Sequence, residues 1–260
     1  MFSPDRNGKQ ARISASSYSN TAPLIWSFLY GSQRGKVELI LDNSPARSAE
    51  LLSQNRVDAA LVPVIEYQRI NDISLVENIC VGAKERVRSV CLVTKGEDLE
   101  AAKTVSLDVS SRTSVALTKI IFREFLGLEP VWKNDEPNLD KMLATADCAL
   151  LIGDPALLIA DSGNSKIEGQ RSKNKNHLRK FDLVKIWREF TGFGFVFAMW
   201  MARKEKTDAA RNIDFAAARD EGLARLDEII ANYETEISLA RDDFKSYLSE
   251  NISYSLDENM

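Results

Sequence analysis

Val105-Ser106-Leu107-Asp108-Val109-Ser110-Ser111-Arg112-Thr113-Ser114-Val115-Ala116 is the stretch from which the rest of the chain is read. Val105, Leu107 and Val109 alternate as at the end of a strand, and Val115, Leu117, Ile120, Ile121 and Phe125 follow with helical spacing. Between them lie four hydroxyls and Arg112 within five residues, Ser110 to Ser114. A strand that turns into a helix through such a corner aims unpaired backbone N–H groups, hydroxyls and the positive helix end at one point. That arrangement suits an anion. Ser and Thr are also ordinary N-caps, and one corner alone does not separate the two readings.

The same grammar occurs earlier. Arg12 to Ser16 reads as a strand, followed by Ser17-Tyr18-Ser19-Asn20-Thr21-Ala22-Pro23-Leu24 and a helix through Trp26, Phe28 and Leu29 towards Gly31. Val37 to Leu41 predicts a second strand, and Ser44-Pro45 opens a helix carrying Leu51 and Leu52. Asp58-Ala59-Ala60-Leu61-Val62-Pro63-Val64 is almost wholly apolar, as a parallel strand covered on both faces must be.

The second half repeats the order: a helix to Gly127, a strand over Pro130 to Lys133, a short helix over Leu139 to Ala144, then Asp147-Cys148-Ala149-Leu150-Leu151-Ile152. Asn20 and Arg112 are 92 positions apart and Asp58 and Asp147 are 89 apart, so the halves keep nearly the same spacing. Two similar α/β lobes are the expectation. Their bounds are 11–90 plus 200–260 for the first and 91–199 for the second, with crossing strands near 87–94 and 193–201 that would leave a ligand cleft.

Asp161 to Lys180, which contains the one histidine, His177, reads as an exposed polar loop. Asp214 to Ile230 predicts one amphipathic helix, and Phe244, Tyr247 and Leu248 another. Both are expected to pack on the first lobe.

Composition narrows the function. The 260 residues are 44% apolar and 28% charged with a net charge of −4, which gives no reason to expect nucleic acid as a partner. Cys80, Cys91 and Cys148 are widely spaced beside apolar runs and suit buried free thiols in a reducing compartment. The first ten residues lack the apolar core of a signal peptide and no run is long enough to span a bilayer, so the expectation is a cytoplasmic protein without membrane partners.

The sequence has no cluster with metal-ligand spacing, no phosphate loop, no dinucleotide glycine fingerprint and no Gly-x-Ser-x-Gly. Chemistry is left to hydroxyls, amides, carboxylates and helix ends, a set that favours a small anion. Asn20 both donates and accepts, and Ser89 lies on an expected crossing strand facing the cleft. Asp154 reads first as an N-cap and second as a ligand contact, and Glu66 as a surface carboxylate.

Ser17-Tyr18-x-Asn20-Thr21-x-Pro23-Leu24, Ser111-Arg112-Thr113-Ser114-Val115-Ala116-Leu117, Ile152-Gly153-Asp154-x-Ala156-Leu157 and Phe195-Val196-Phe197-Ala198-x-Trp200, in this order, resemble the chorismate dehydratases of the futalosine route to menaquinone. Ser19 and Ala22 stand where that family commonly has Leu and Lys, and Phe193-Gly194 where it has Leu-Pro.

The resemblance implies an α/β, two-lobed fold like that of type II periplasmic binding proteins, conversion of chorismate to 3-[(1-carboxyvinyl)oxy]benzoate and water, and neither cofactor nor metal. With that reaction, Asn20 and Ser89 are expected as the catalytic residues, orienting the substrate and polarising the leaving hydroxyl. Ser17, Tyr18, Thr21, Ser111, Arg112, Thr113, Ser114 and Asp154 are then the residues that bind this small dicarboxylate. The alternatives are a solute-binding protein that closes on an anion without reacting, and the sister 1,4-dihydroxy-6-naphthoate synthase.

Overall fold

A computed structural model describes residues 10–159, 178–206, 212–256 and 258–260. The chain divides into two compact units, one running to Gly82 and again from Val196 to Glu258, the other Ala83–Phe195.

The first unit opens with β1 (Ala11–Ser16), α1 (Ala22–Leu29), β2 (Val37–Asp42), α2 (Pro45–Ser53), β3 (Ala59–Pro63) and β4 (Ile73–Ala83). The second is built from β5 (Val90–Thr94), β6 (Thr104–Asp108), α3 (Arg112–Ile120), β7 (Val131–Asp135), α4 (Leu139–Thr145), β8 (Cys148–Ile152), α5 (Gly153–Leu157), β9 (Arg179–Asp182) and α6 (Leu183–Thr191). The chain returns to the first sheet with β10 (Phe195–Arg203) and ends in helical segments at Phe215–Leu223, Leu226–Tyr233 and Arg241–Ser246.

Strand order is β2-β1-β3-β10-β4 in one sheet and β7-β6-β8-β5-β9 in the other. In each, three parallel strands are followed by an antiparallel one, β10 against β3 and β5 against β8. Every residue of β3, β5 and β8 is buried, as apolar strands covered on both faces require. α2 closes one core through Leu51 and Leu52 on Val57, Val62 and Ile73, and α4 closes the other through Met142 and Leu143 on Val93 and Leu151. Cys80, Cys91 and Cys148 are free and buried, and burial pushes the Cys148 thiol far up.

Several expectations are corrected. Of the two strands named as crossings, β5 pairs with β8 and β9 inside the second unit and does not cross, whereas β10 begins at Phe195, where the second unit ends, and pairs with β3 of the first; the other passage falls between Gly82 and Ala83, at the end of β4. The units accordingly divide after Gly82 and Phe195, where the sequence reading has residues 90 and 199. The single helix over Asp214 to Ile230 is two, broken at Ala224 and Arg225 just after Gly222, the poorest helix former in the run. β4 is not legible as one strand, because Glu77 and Asn78 interrupt its apolar pattern and Asn78 takes φ 59°. Most of the loop that begins at Asp161, His177 included, lies outside the described residues.

Candidate functional site

In the first unit the corner after β1 is built by backbone geometry. Ser17 N–H donates to Asp42 O at 2.9 Å, extending the β1–β2 ladder one residue. The chain then makes a single tight turn, Ser19–Thr21, before α1 starts with Pro23 in its first turn. Thr21 locks this turn, its hydroxyl lying 2.6 Å from Ser16 O and 2.8 Å from Tyr18 O. That hydroxyl proton is therefore engaged inside the corner. Ser19 and Thr21 are buried, Tyr18 and Asn20 half-buried and Ser17 exposed. Among the described residues the Asn20 amide has no hydrogen-bond partner. Ser17 lines a groove of about 300 Å³ with Trp26, Tyr30, Tyr233 and Glu236, and Tyr233 donates to its carbonyl at 3.1 Å.

In the second unit the corner after β6 has the same origin. Val109 N–H donates to Asp135 O at 3.2 Å, the counterpart of the Ser17 bond. Ser111 caps α3 by accepting from Ser114 N–H at 3.3 Å, and the two hydroxyls bond at 2.9 Å. Ser110 donates both its N–H, at 2.9 Å, and its hydroxyl to Asp108. Ser110, Ser111, Thr113 and Ser114 are buried, and Arg112 is half-buried at the start of the helix.

Strand pairing brings two further predicted positions, Asp154 and Ser89, to this edge of the second sheet. β8 runs parallel to β6, so Gly153 and Asp154 follow its carboxyl end beside the serine corner. β5 runs antiparallel to β8 with Val90 opposite Ile152, so Ser89, just before β5, is at the same edge. Gly153 N–H donates to Ser89 O at 2.7 Å.

Two of these residues need correction. Ser89 lies in a bend rather than on a strand, is fully buried, and its hydroxyl donates to Val87 O over a long 3.4 Å. Asp154 is not the N-cap of α5. Gly153 takes φ 66°, which turns the chain one residue early, and Ile152 occupies the cap position.

Sequence reasoning missed Asp108 and Asp182. Asp108, wholly buried at the end of β6, accepts from Ser110 and, at 3.3 Å, from Ile152 N–H, so it ties the serine corner to the end of β8. Burial raises its carboxyl above the ordinary value, against the pull of those donors. Asp182 ends β9 and accepts from four backbone N–H groups, of Val87, Arg88, Val184 and Lys185; burial raises its carboxyl too. The available signal was position, since each is the acid that closes a strand. Glu66, expected on the surface, is 2% exposed after β3 and pairs with Arg69 at 3.2 Å.

Among the described residues no group of three His, Cys, Asp or Glu side chains could hold a metal ion, and no helix is long and apolar enough to cross a membrane.

Two mixed sheets of one strand order, each ending in a hydroxyl-bearing corner at a helix start, define a protein of the periplasmic-binding-protein-like class. Solved structures agree on the fold: a protein from Archaeoglobus fulgidus superposes with a TM-score of 0.65 at 15% identity, covering 96% of this chain and 92% of that one. The aliphatic sulphonate binding protein SsuA from Escherichia coli does so with a TM-score of 0.59 at 13% identity, covering 95% and 85%. Within that class the chain belongs to the menaquinone biosynthesis family, whose model matches residues 11–260. It is 31% identical over 217 residues to the chorismate dehydratase of Thermus thermophilus, a match spanning 82% of this chain and 77% of that enzyme.

Proposed function

We propose that this chain is a chorismate dehydratase, a hydro-lyase that converts chorismate to 3-[(1-carboxyvinyl)oxy]benzoate and water, acting in the cytoplasm. Family membership supports the pathway. The observation that carries the chemistry is the repeated corner, with Asn20, unpaired among the described residues, at one and Ser111 to Ser114 at the other. Chorismate is a dianion, and one carboxylate at each helix start is matched by pre-oriented dipoles. Each charge-assisted hydrogen bond contributes roughly 1.5–3 kcal/mol, so several hold a small acid.

The reaction removes a ring proton and the neighbouring hydroxyl, and the aromatic product draws it forward. It is redox-neutral. Donors on the ring carboxylate stabilise the dienolate as the proton leaves. Asn20 orients the substrate and, with Ser89, polarises the departing hydroxyl; the long Ser89 bond leaves that hydroxyl proton easy to re-aim. The proton acceptor is the substrate's own side-chain carboxylate. Buried Asp108 and half-buried Asp182 are occupied by backbone donors, and buried Glu66 by Arg69.

Incubation of the purified protein with chorismate, followed by chromatography, tests the reading. The enolpyruvyl benzoate is expected from the wild type, and at least 100-fold less of it from Asn20→Ala or Ser89→Ala. Chorismate recovered unchanged but bound would identify a solute-binding protein. Turnover of the later pathway intermediate instead would identify the naphthoate synthase.

A further inference from the structure

The bend that enters β5 holds a conformation its own residues do not favour. Arg88 has φ 63°, in the left-handed region that side chains other than Gly, Asn and Asp rarely adopt. Asp182 lies across from it at the end of β9, opposite Cys91. One carboxylate oxygen accepts from Val184 N–H at 2.9 Å and Lys185 N–H at 3.2 Å, which caps α6. The other accepts from Val87 N–H at 3.0 Å and Arg88 N–H at 2.6 Å. A cap needs one oxygen, so the second has a separate task. α6 grips the same segment again, Arg188 donating to Lys84 O at 3.1 Å. The next residue is Ser89, whose carbonyl takes the Gly153 N–H.

We propose that Asp182 is a positioning residue for Ser89. Its second oxygen fixes the left-handed Arg88 turn, and the turn sets both the direction of the Ser89 hydroxyl and, through Ser89 O, the Gly153–Asp154 corner. This rests on the role given to Ser89 above. Asp182 touches no substrate; its influence is on geometry, where a displacement of about 1 Å costs on the order of a hundredfold in rate.

Asp182→Ser separates the two tasks, because serine caps a helix well and has no second oxygen for the turn. Asp182→Asn is the companion: its one oxygen caps α6 and its NH₂ is turned against the Val87 and Arg88 donors. In hydrogen exchange, amides of residues 84–90 are expected to exchange faster in both variants while those of 183–190 stay unchanged. With chorismate, kcat is expected to fall about tenfold or more with KM within about twofold. Unchanged exchange at 84–90 would overturn the proposal, as would faster exchange there with kcat intact, or faster exchange at both segments, which marks a lost cap. A wild type that leaves chorismate unchanged would remove the catalytic reading alone; the exchange comparison still decides whether Asp182 holds this turn.

Discussion

Asp147, just before β8, takes both the backbone N–H of Thr104, at 2.9 Å, and its hydroxyl, at 2.8 Å. Asp58, just before β3, takes the N–H of Arg12 at 2.7 Å, and each aspartate returns its own N–H to the carbonyl of the same residue. A second pair repeats further along: Ser14 donates to Asp42 and Ser106 to Asp135, both at 2.6 Å. The two units therefore share hydrogen bonds that fix the register of their central strands, and through it the start of each corner.

These bonds make Asp147 a structural residue of the second unit. Asp147→Ala removes an acceptor from Lys103 N–H, Thr104 N–H and the Thr104 hydroxyl. The expected loss is about 1–3 kcal/mol by denaturant unfolding. The Thr104 hydroxyl, first, and the backbone donors hold the carboxyl below its ordinary value of 3.8. Its stabilisation is thus present above that value and disappears as pH falls through the lowered one. A variant as stable as the wild type at neutral pH would refute the assignment.

Gly222 fixes how α1 is held. A Cβ there would lie 1.9 Å from Pro23 O and 2.7 Å from Pro23 C, backbone atoms at the head of α1. Gly222→Ala gains about 1 kcal/mol of helix propensity but forces the two helices apart, so a net loss of roughly 2 kcal/mol or more is expected. Thermal melts read this directly; an unchanged or higher Tm would contradict the close approach.

Asp108 gives a pH signature of the opposite sign to Asp147. Burial raises its carboxyl above 3.8, so within that window the folded chain keeps a proton that the unfolded chain has released. Its contribution to stability is full below 3.8 and is lost as pH rises through the raised value. Asp108→Asn deletes this titration. Denaturant midpoints taken between about pH 4 and 7 should then lack the acid-favouring component present in the wild type. Parallel curves for the two proteins would show that Asp108 titrates normally.

Asn20→Asp tests the anion reading with almost no change in shape. The substitution replaces an amide donor by a negative charge at the helix start proposed to hold a carboxylate. Like charges repel there and a donor is lost, so kcat/KM for chorismate should drop on the order of a hundredfold or more while Tm stays within a few degrees. Undiminished kcat/KM would place the substrate elsewhere.

Much of this was readable from one dimension. The wholly apolar runs at Ala59–Pro63 and Cys148–Ile152, the caps at Ser44 and Ser111, and the 92-residue spacing of two hydroxyl corners are local or periodic features, and local features follow from backbone sterics and hydrogen-bonding chemistry. They determined the α/β class, the repeat and the position of both corners. What an acid at a strand end does was decided in three dimensions. Asp108 reaches Ile152, 44 residues away, and Asp182 reaches Arg88, 94 residues away. The amino-acid types match those of surface or capping aspartates, and only strand pairing reveals which donors each carboxylate meets. For the same reason Glu66, read as a surface carboxylate, is buried: exposure belongs to the packed whole and not to a residue's place in the chain.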